Sequence, residues 1–224
     1  MAPPVQAVLF LGIIPAMIIL YIALKGYEEY YKEKTIFIIF IVGIIFGVIV
    51  AVIRYLINPL PYLIIYIVIF AFFEQLFKTI ILNIGRLQGK KETVIYGLAL
   101  GLGFGSAFTP FLIISSSMVS NELTFIALVG FGSLGFIFFH AATTTYIGYG
   151  IYKFKLIRYL SIAIILQIPF NILADAIRIY NYSNYQYLAI SSILIVLYGL
   201  ILFYYVFKKI TPNIKKQARK RSKK

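Results

Sequence analysis

FAFFEQLFKTIIL, residues Phe70 to Leu82, is the stretch on which the reading of the chain turns. It is apolar enough to sit in a bilayer, yet it carries Glu74, Gln75 and Lys78 at its centre. Glu74 and Lys78 stand four apart, so a helix puts them on one face, one turn from each other. A charged group at that depth costs at least about 2.5–3.5 kcal/mol unless it faces protein or a wet cavity. These groups are therefore expected to look inward, with Glu74 and Lys78 as an internal ion pair.

The rest of the composition agrees with a lipid setting. The chain of 224 residues is 62% hydrophobic, with a mean hydropathy of +0.94, against roughly 45–50% apolar content for a soluble domain. Several apolar runs are about 20 residues long, the length of a transmembrane helix. The alternating strands of about ten residues that mark an outer-membrane barrel are absent from the sequence. The expected fold is all-α: one polytopic domain over residues 1–207, followed by a basic tail over 208–224. No cysteine is present, which excludes disulfides, thiolate metal sites and a thiol nucleophile, and there is a single histidine.

Seven spans are expected: Val5 to Leu24, Thr35 to Ile57, Tyr62 to Ile84, Thr93 to Ile114, Leu123 to Tyr152, Tyr159 to Ile177 and Tyr187 to Phe207. MAPPVQAVLF lacks the basic region of a cleavable signal, so the first run reads as a span. The segment Asn58-Pro59-Leu60-Pro61 reads as a tight break, since proline disfavours helix on both sides. The polar stretches SSSMVSNE and Arg178 to Gln186 read as loops. Eighteen of the 21 Lys and Arg residues fall in loops one–two, three–four and five–six and in the tail. By the positive-inside rule those segments are cytoplasmic and the N-terminus lies outside, which suits a multi-pass protein of the cell membrane. The tail lacks the interleaved aromatics of a nucleic-acid module. It reads as a topology signal, with anionic lipid headgroups as its partner in preference to nucleic acid.

Four spans place their least usual residues at one level. At about 1.5 Å per residue, Glu74, Gln167 and His140 lie roughly 15, 12 and 18 Å from the cytoplasmic ends of their helices, with Gly103 at a similar depth. In span four, Gly97, Gly101 and Gly105 line one face, a ridge of small residues that lets another helix approach closely. Lying inside a span and after no strand, this run does not read as a dinucleotide loop. His140, with Thr144 on its face, reads as a metal ligand, a proton relay or a satisfied core histidine. Gln167, Asn171 and Asp175 step by four along span six, and Pro169 is expected to kink it. Arg54, near the outer end of span two, is expected to pair with Asp175 for structure, with Arg178 near the same surface.

Taken in order, Glu74-Gln75-x-x-Lys78, Phe104-x-x-x-Phe108, His140-x-x-x-Thr144 and Gln167-x-x-x-Asn171 resemble the motifs of the intramembrane protease superfamily. It includes the PrsW-like proteases, the type II CAAX prenyl proteases and the anterior-pharynx-defective scaffold subunit of γ-secretase. The resemblance covers about residues 62 to 177. It implies a helix carrying the glutamate that activates water beside a metal, which groups on the following helices hold. The chain departs from that pattern at Gln75, Phe108 and Gln167, where the family offers Glu, Glu or His, and His. Glutamine supplies neither a charged carboxylate nor an imidazole nitrogen, and phenylalanine supplies no ligand. A catalytic zinc takes three protein ligands and a water, and Glu74, His140 and Asp175 are the strong candidates for them.

Three functional readings follow. The first is a protein of this superfamily with a degraded metal site, a scaffold or partner-binding subunit acting on other membrane proteins or transmembrane peptides. The second is a working metallopeptidase with Glu74 as general base and His140 as zinc ligand. The third is a channel or transporter subunit, without the internal repeat common in carriers.

Overall fold

The structure is a computed structural model and describes residues 5–57, 63–117, 123–179 and 185–221. The break at Asn58–Pro61, residues 118–122 and 180–184, the last residues of the tail and the Arg178 side chain lie outside what is described. Among the described residues there are seven α-helices and no strand: α1 (Val5–Leu24), α2 (Glu33–Leu56), α3 (Leu63–Leu82), α4 (Glu92–Ser117), α5 (Leu123–Tyr152), α6 (Leu156–Ile179) and α7 (Tyr185–Arg221). The fold of the described residues is all-helical, and α2, α3, α5, α6 and α7 are long and apolar enough to cross a membrane. Two further helices hold shorter apolar stretches, Leu11–Leu24 and Glu92–Phe108.

The boundaries differ from the expected ones where polar residues prove compatible with helix. Glu33 opens α2, a place where a carboxylate meets the positive end of the helix dipole. Leu156, Ile157 and Arg158 belong to α6, which leaves Lys153–Lys155 as the turn after α5. The largest difference is at the other end. The span expected to end at Phe207 lies in a helix that continues through the basic segment to Arg221, because charged side chains end an apolar run without ending a helix. Pro169 lies inside α6 and does not end it. Tyr198 of α7 donates to the Leu166 carbonyl beside it (3.0 Å).

The helix α4 is the axis of the bundle, with α5 and α2 as its main neighbours. Burial runs all round it: every residue from Val94 to Phe108 is buried, as expected for a helix walled by other helices on all sides. The ridge Gly97–Gly101–Gly105 faces α5. A Cβ added at Gly97 would stand 2.6 Å from the Thr144 carbonyl oxygen, and one at Gly105 would stand 2.7 Å from the Ile137 Cα. At Gly101 an added Cβ would overlap the His140 carbonyl oxygen. On the other side Gly103 meets the Phe40 carbonyl oxygen of α2, and Gly47 of α2 meets the Phe104 carbonyl (2.5 Å). Backbones this close gain dispersion contact that lipid tails cannot supply. Outside this centre α7 packs on α5, α1 on α4, and α3 mainly on α6. Broad apolar faces of α2, α3 and α7 are left outward, with Ile64, Ile80 and Ile201 each more than 60% exposed.

Gly101→Ala is expected to lower stability by about 1–3 kcal/mol, since the added methyl meets backbone that cannot rotate away. Gly85→Ala, where no atom lies within 4 Å, should be close to neutral. Thermal unfolding of the detergent-solubilised protein, followed by circular dichroism, reads both.

Candidate functional site

The polar residues of α3 lie where its inward face meets α2, α5 and α6. Glu74, Gln75 and Lys78 have no exposed surface, and neither do His140, Gln167 and Asn171. Helical spacing accounts for their meeting: Gln167, Asn171 and Asp175 form one stripe on α6, and α3 lies along it.

Arg54 is the hub. Its Nη1 donates to Glu74 Oε1 (2.7 Å) and to Asn171 Oδ1 (3.2 Å). Its Nη2 donates to Asp175 Oδ2 (2.8 Å). The guanidinium also lies over the rings of Tyr66 and Phe70, at 5.8 and 5.3 Å from their centroids, a favourable placement for a desolvated cation. Three helices are thus tied by one side chain, and Tyr66 closes the tie by donating to the Arg54 carbonyl (3.3 Å). The expected Arg54–Asp175 pair is present, and it is half of a triad.

The amides extend the network. Gln167 Nε2 donates to Glu74 Oε2 (3.0 Å) and to Asn171 Oδ1 (2.9 Å). Gln75 Nε2 donates to Gln167 Oε1 (2.6 Å), and Asn171 Nδ2 donates to the Ile67 carbonyl (3.2 Å). Both carboxylate oxygens of Glu74 therefore have donors from other helices.

Lys78 does not pair with Glu74. Glu74 takes its ion pair from Arg54, while Lys78 Nζ lies 2.8 Å from His140 Nδ1 and 4.5 Å from the Phe104 centroid. Four residues on one helix bring two side chains to the same face, but their tips follow the partners that other helices supply. An ammonium has donors only, so with Lys78 in that form Nδ1 accepts and Nε2 is the ring atom left to carry the proton. That atom is 3.9 Å from Glu74 Oε2 and has no hydrogen-bond partner. Gln75 Oε1 is likewise unpartnered.

The His140 ring is otherwise walled by phenyl groups. Phe108 stacks on it at 5.4 Å between centroids and 24° between planes, while Phe104 meets it edge-on at 4.7 Å. Phe139 and Phe170 close further sides, at 5.4 and 5.8 Å. Thr144, expected in the polar layer, is not part of the side-chain network. Its hydroxyl donates to the His140 carbonyl (2.7 Å) within α5, and it lies at the seam with Gly97, as Thr commonly does inside a helix.

A catalytic zinc does not fit this donor set. Among the described residues no three of His, Cys, Asp and Glu come together as a candidate ligand group. Glu74 and Asp175 are held through Arg54, His140 Nδ1 faces Lys78, and the Phe108 ring covers a face of His140. A divalent cation would also lie between a guanidinium and an ammonium, in a medium that screens neither.

Glu74, Gln75, Lys78, His140, Gln167 and Asn171, the residues the sequence marks as polar among apolar neighbours, come together in the structure. Arg54, the hub, carries its own signal as a lone arginine inside an apolar helix. Arg54→Ala is expected to destabilise by about 3–5 kcal/mol, because it strands two buried carboxylates. The neutral triple variant Arg54→Met/Glu74→Gln/Asp175→Asn should recover most of that loss. Denaturant titration in micelles distinguishes a network held by charge balance from one in which Arg54 only packs.

No family model, no curated protein and no solved structure matches this chain.

Proposed function

We propose that this is a seven-span membrane protein, with its basic loops and α7 extension cytoplasmic, that works as a non-catalytic scaffold binding other membrane proteins or transmembrane peptides. Kinship with the PrsW-like and γ-secretase-scaffold proteins is part of the proposal. It is supported by the meeting of the α3, α5 and α6 motif residues in one layer. One observation carries the non-catalytic reading. The carboxylate and the imidazole that such chemistry would need are engaged by the chain's own cations, Glu74 by Arg54 and His140 by Lys78.

The energetics agree. Arg54 and Lys78 are buried together with Glu74 and Asp175, two formal positive charges against two formal negative ones, so the cluster is formally neutral. Such a cluster fixes which helices meet and in what register more than it adds stability. The layer is sealed, with no exposed surface on its central members, and this favours a scaffold over a conducting path. Partners would be met at the outward apolar faces of α2, α3 and α7.

A second reading has one observation in its favour. His140 Nε2 is unpartnered and faces Glu74 Oε2 across 3.9 Å, the two groups that an intramembrane metallopeptidase would use. Metal analysis of the purified protein decides between the two readings, together with a cleavage assay on transmembrane peptides. The scaffold reading expects less than stoichiometric transition metal, no cleavage, and peptide binding that survives Glu74→Gln. Stoichiometric metal lost on His140→Ala, together with cleavage lost on Glu74→Gln, would replace it with the peptidase.

A further inference from the structure

We propose that the groove between the α3–α4 and α5–α6 connections binds the phosphate headgroup of an anionic phospholipid. This goes beyond the scaffold reading and concerns a different part of the molecule. The groove has a volume of about 470 Å³, within the range of roughly 300–1,000 Å³ of small-molecule sites.

Its walls combine two chemistries. Lys155 and Arg158 line it together with Asn83 and Gln88. Neither cation has a carboxylate partner among the described residues. The two connections and the first turns of the helices that follow them hold six basic residues, Arg86, Lys90, Lys91, Lys153, Lys155 and Arg158, against one acid, Glu92. Arginine presents a planar fork that matches phosphate oxygens in pairs, and lysine adds a point charge. Gln88 Nε2 donates to Asn83 Oδ1 (3.0 Å), which leaves the Asn83 amide nitrogen as a donor at the groove wall.

Phe154 and Ile157, exposed by 79% and 82%, line the groove beside these cations. Phe154 closes α5 in a left-handed conformation, φ 55°. Lys155 N donates to the Gly150 carbonyl (2.9 Å) and Phe154 N to the Ile151 carbonyl (3.2 Å). This is the cap in which glycine is usual; a residue with a Cβ costs roughly 1–2 kcal/mol in that conformation. Part of the ring rests on Gly89 of the other connection, where an added Cβ would stand 2.7 Å from it. The two connections are thus braced against each other, and exposed cations and large exposed apolar groups line the same groove. A lining of this kind, at the end of a membrane-crossing helix, suits a molecule with a phosphate at one end and acyl chains at the other. A free phosphate would satisfy Lys155 and Arg158 but leave Phe154 and Ile157 uncovered.

The test is native mass spectrometry of the full chain in detergent, titrated with phosphatidylglycerol and with phosphatidylcholine of the same acyl chains. Phosphatidylglycerol should bind at least about tenfold more tightly. Lys155→Gln/Arg158→Gln should remove that preference. Lys155→Arg/Arg158→Lys, and Lys208→Gln/Lys209→Gln on α7, should keep it. Excess inorganic phosphate should not displace the lipid. Equal binding of the two lipids, an unchanged Gln variant, or displacement by phosphate each overturns the proposal, the last in favour of a free-anion site. Should the Gln variant not fold, the wild-type preference must still fall as salt rises, and a preference indifferent to salt overturns the proposal as well.

Discussion

One guanidinium between two carboxylates, inside an otherwise apolar bundle, is the constraint from which the rest of the polar core follows. Arg54 satisfies Glu74 and Asp175 at once. It thereby binds α2 to α3 and α6, helices whose other meeting surfaces are largely hydrocarbon. Buried charges of this kind are costly to remove from water, so their arrangement tolerates few alternatives. Every amide in the layer is oriented by that triad. Gln167 and Asn171 take up the valences that Arg54 leaves, and Gln75 is held in turn by Gln167.

Such a network needs helices near enough for side chains of ordinary length to reach across. The glycines of α4 provide this. By admitting the backbone of α5 on one face and of α2 on the other, they draw His140 and Arg54 toward a common centre. The smallest residues in the chain therefore set the geometry of the largest polar ones. Around His140 the space so created is filled with phenyl rings and the Lys78 side chain, which leaves the imidazole with one unpartnered nitrogen.

The proposed kinship with intramembrane proteases gains meaning from what stands in place of ligands. Gln75 and Gln167, where the resemblance puts acid and imidazole, hydrogen-bond to each other (2.6 Å). Phe108, where it puts a carboxylate or imidazole, stacks on His140. In this chain each of these residues holds a neighbouring helix.

Much was legible in the linear pattern. Runs of about 20 apolar residues announce helices in lipid, and a Glu or a Lys within such a run has to face protein. Steps of four mark the stripe from Gln167 to Asp175 and the ridge from Gly97 to Gly105. All of these follow from helix period and from the cost of charge in hydrocarbon, which are local properties of the chain. What the pattern could not supply was the choice of partner. Glu74 has Lys78 one turn away on its own helix, yet it is Arg54, 20 residues earlier, that reaches it, and Lys78 turns to His140. Continuation of α7 past Phe207 was hidden for a related reason, since charge ends a membrane span but not a helix. Pairing depends on where helices distant in sequence come to lie, and only packing in three dimensions sets which of two available cations is near enough to win.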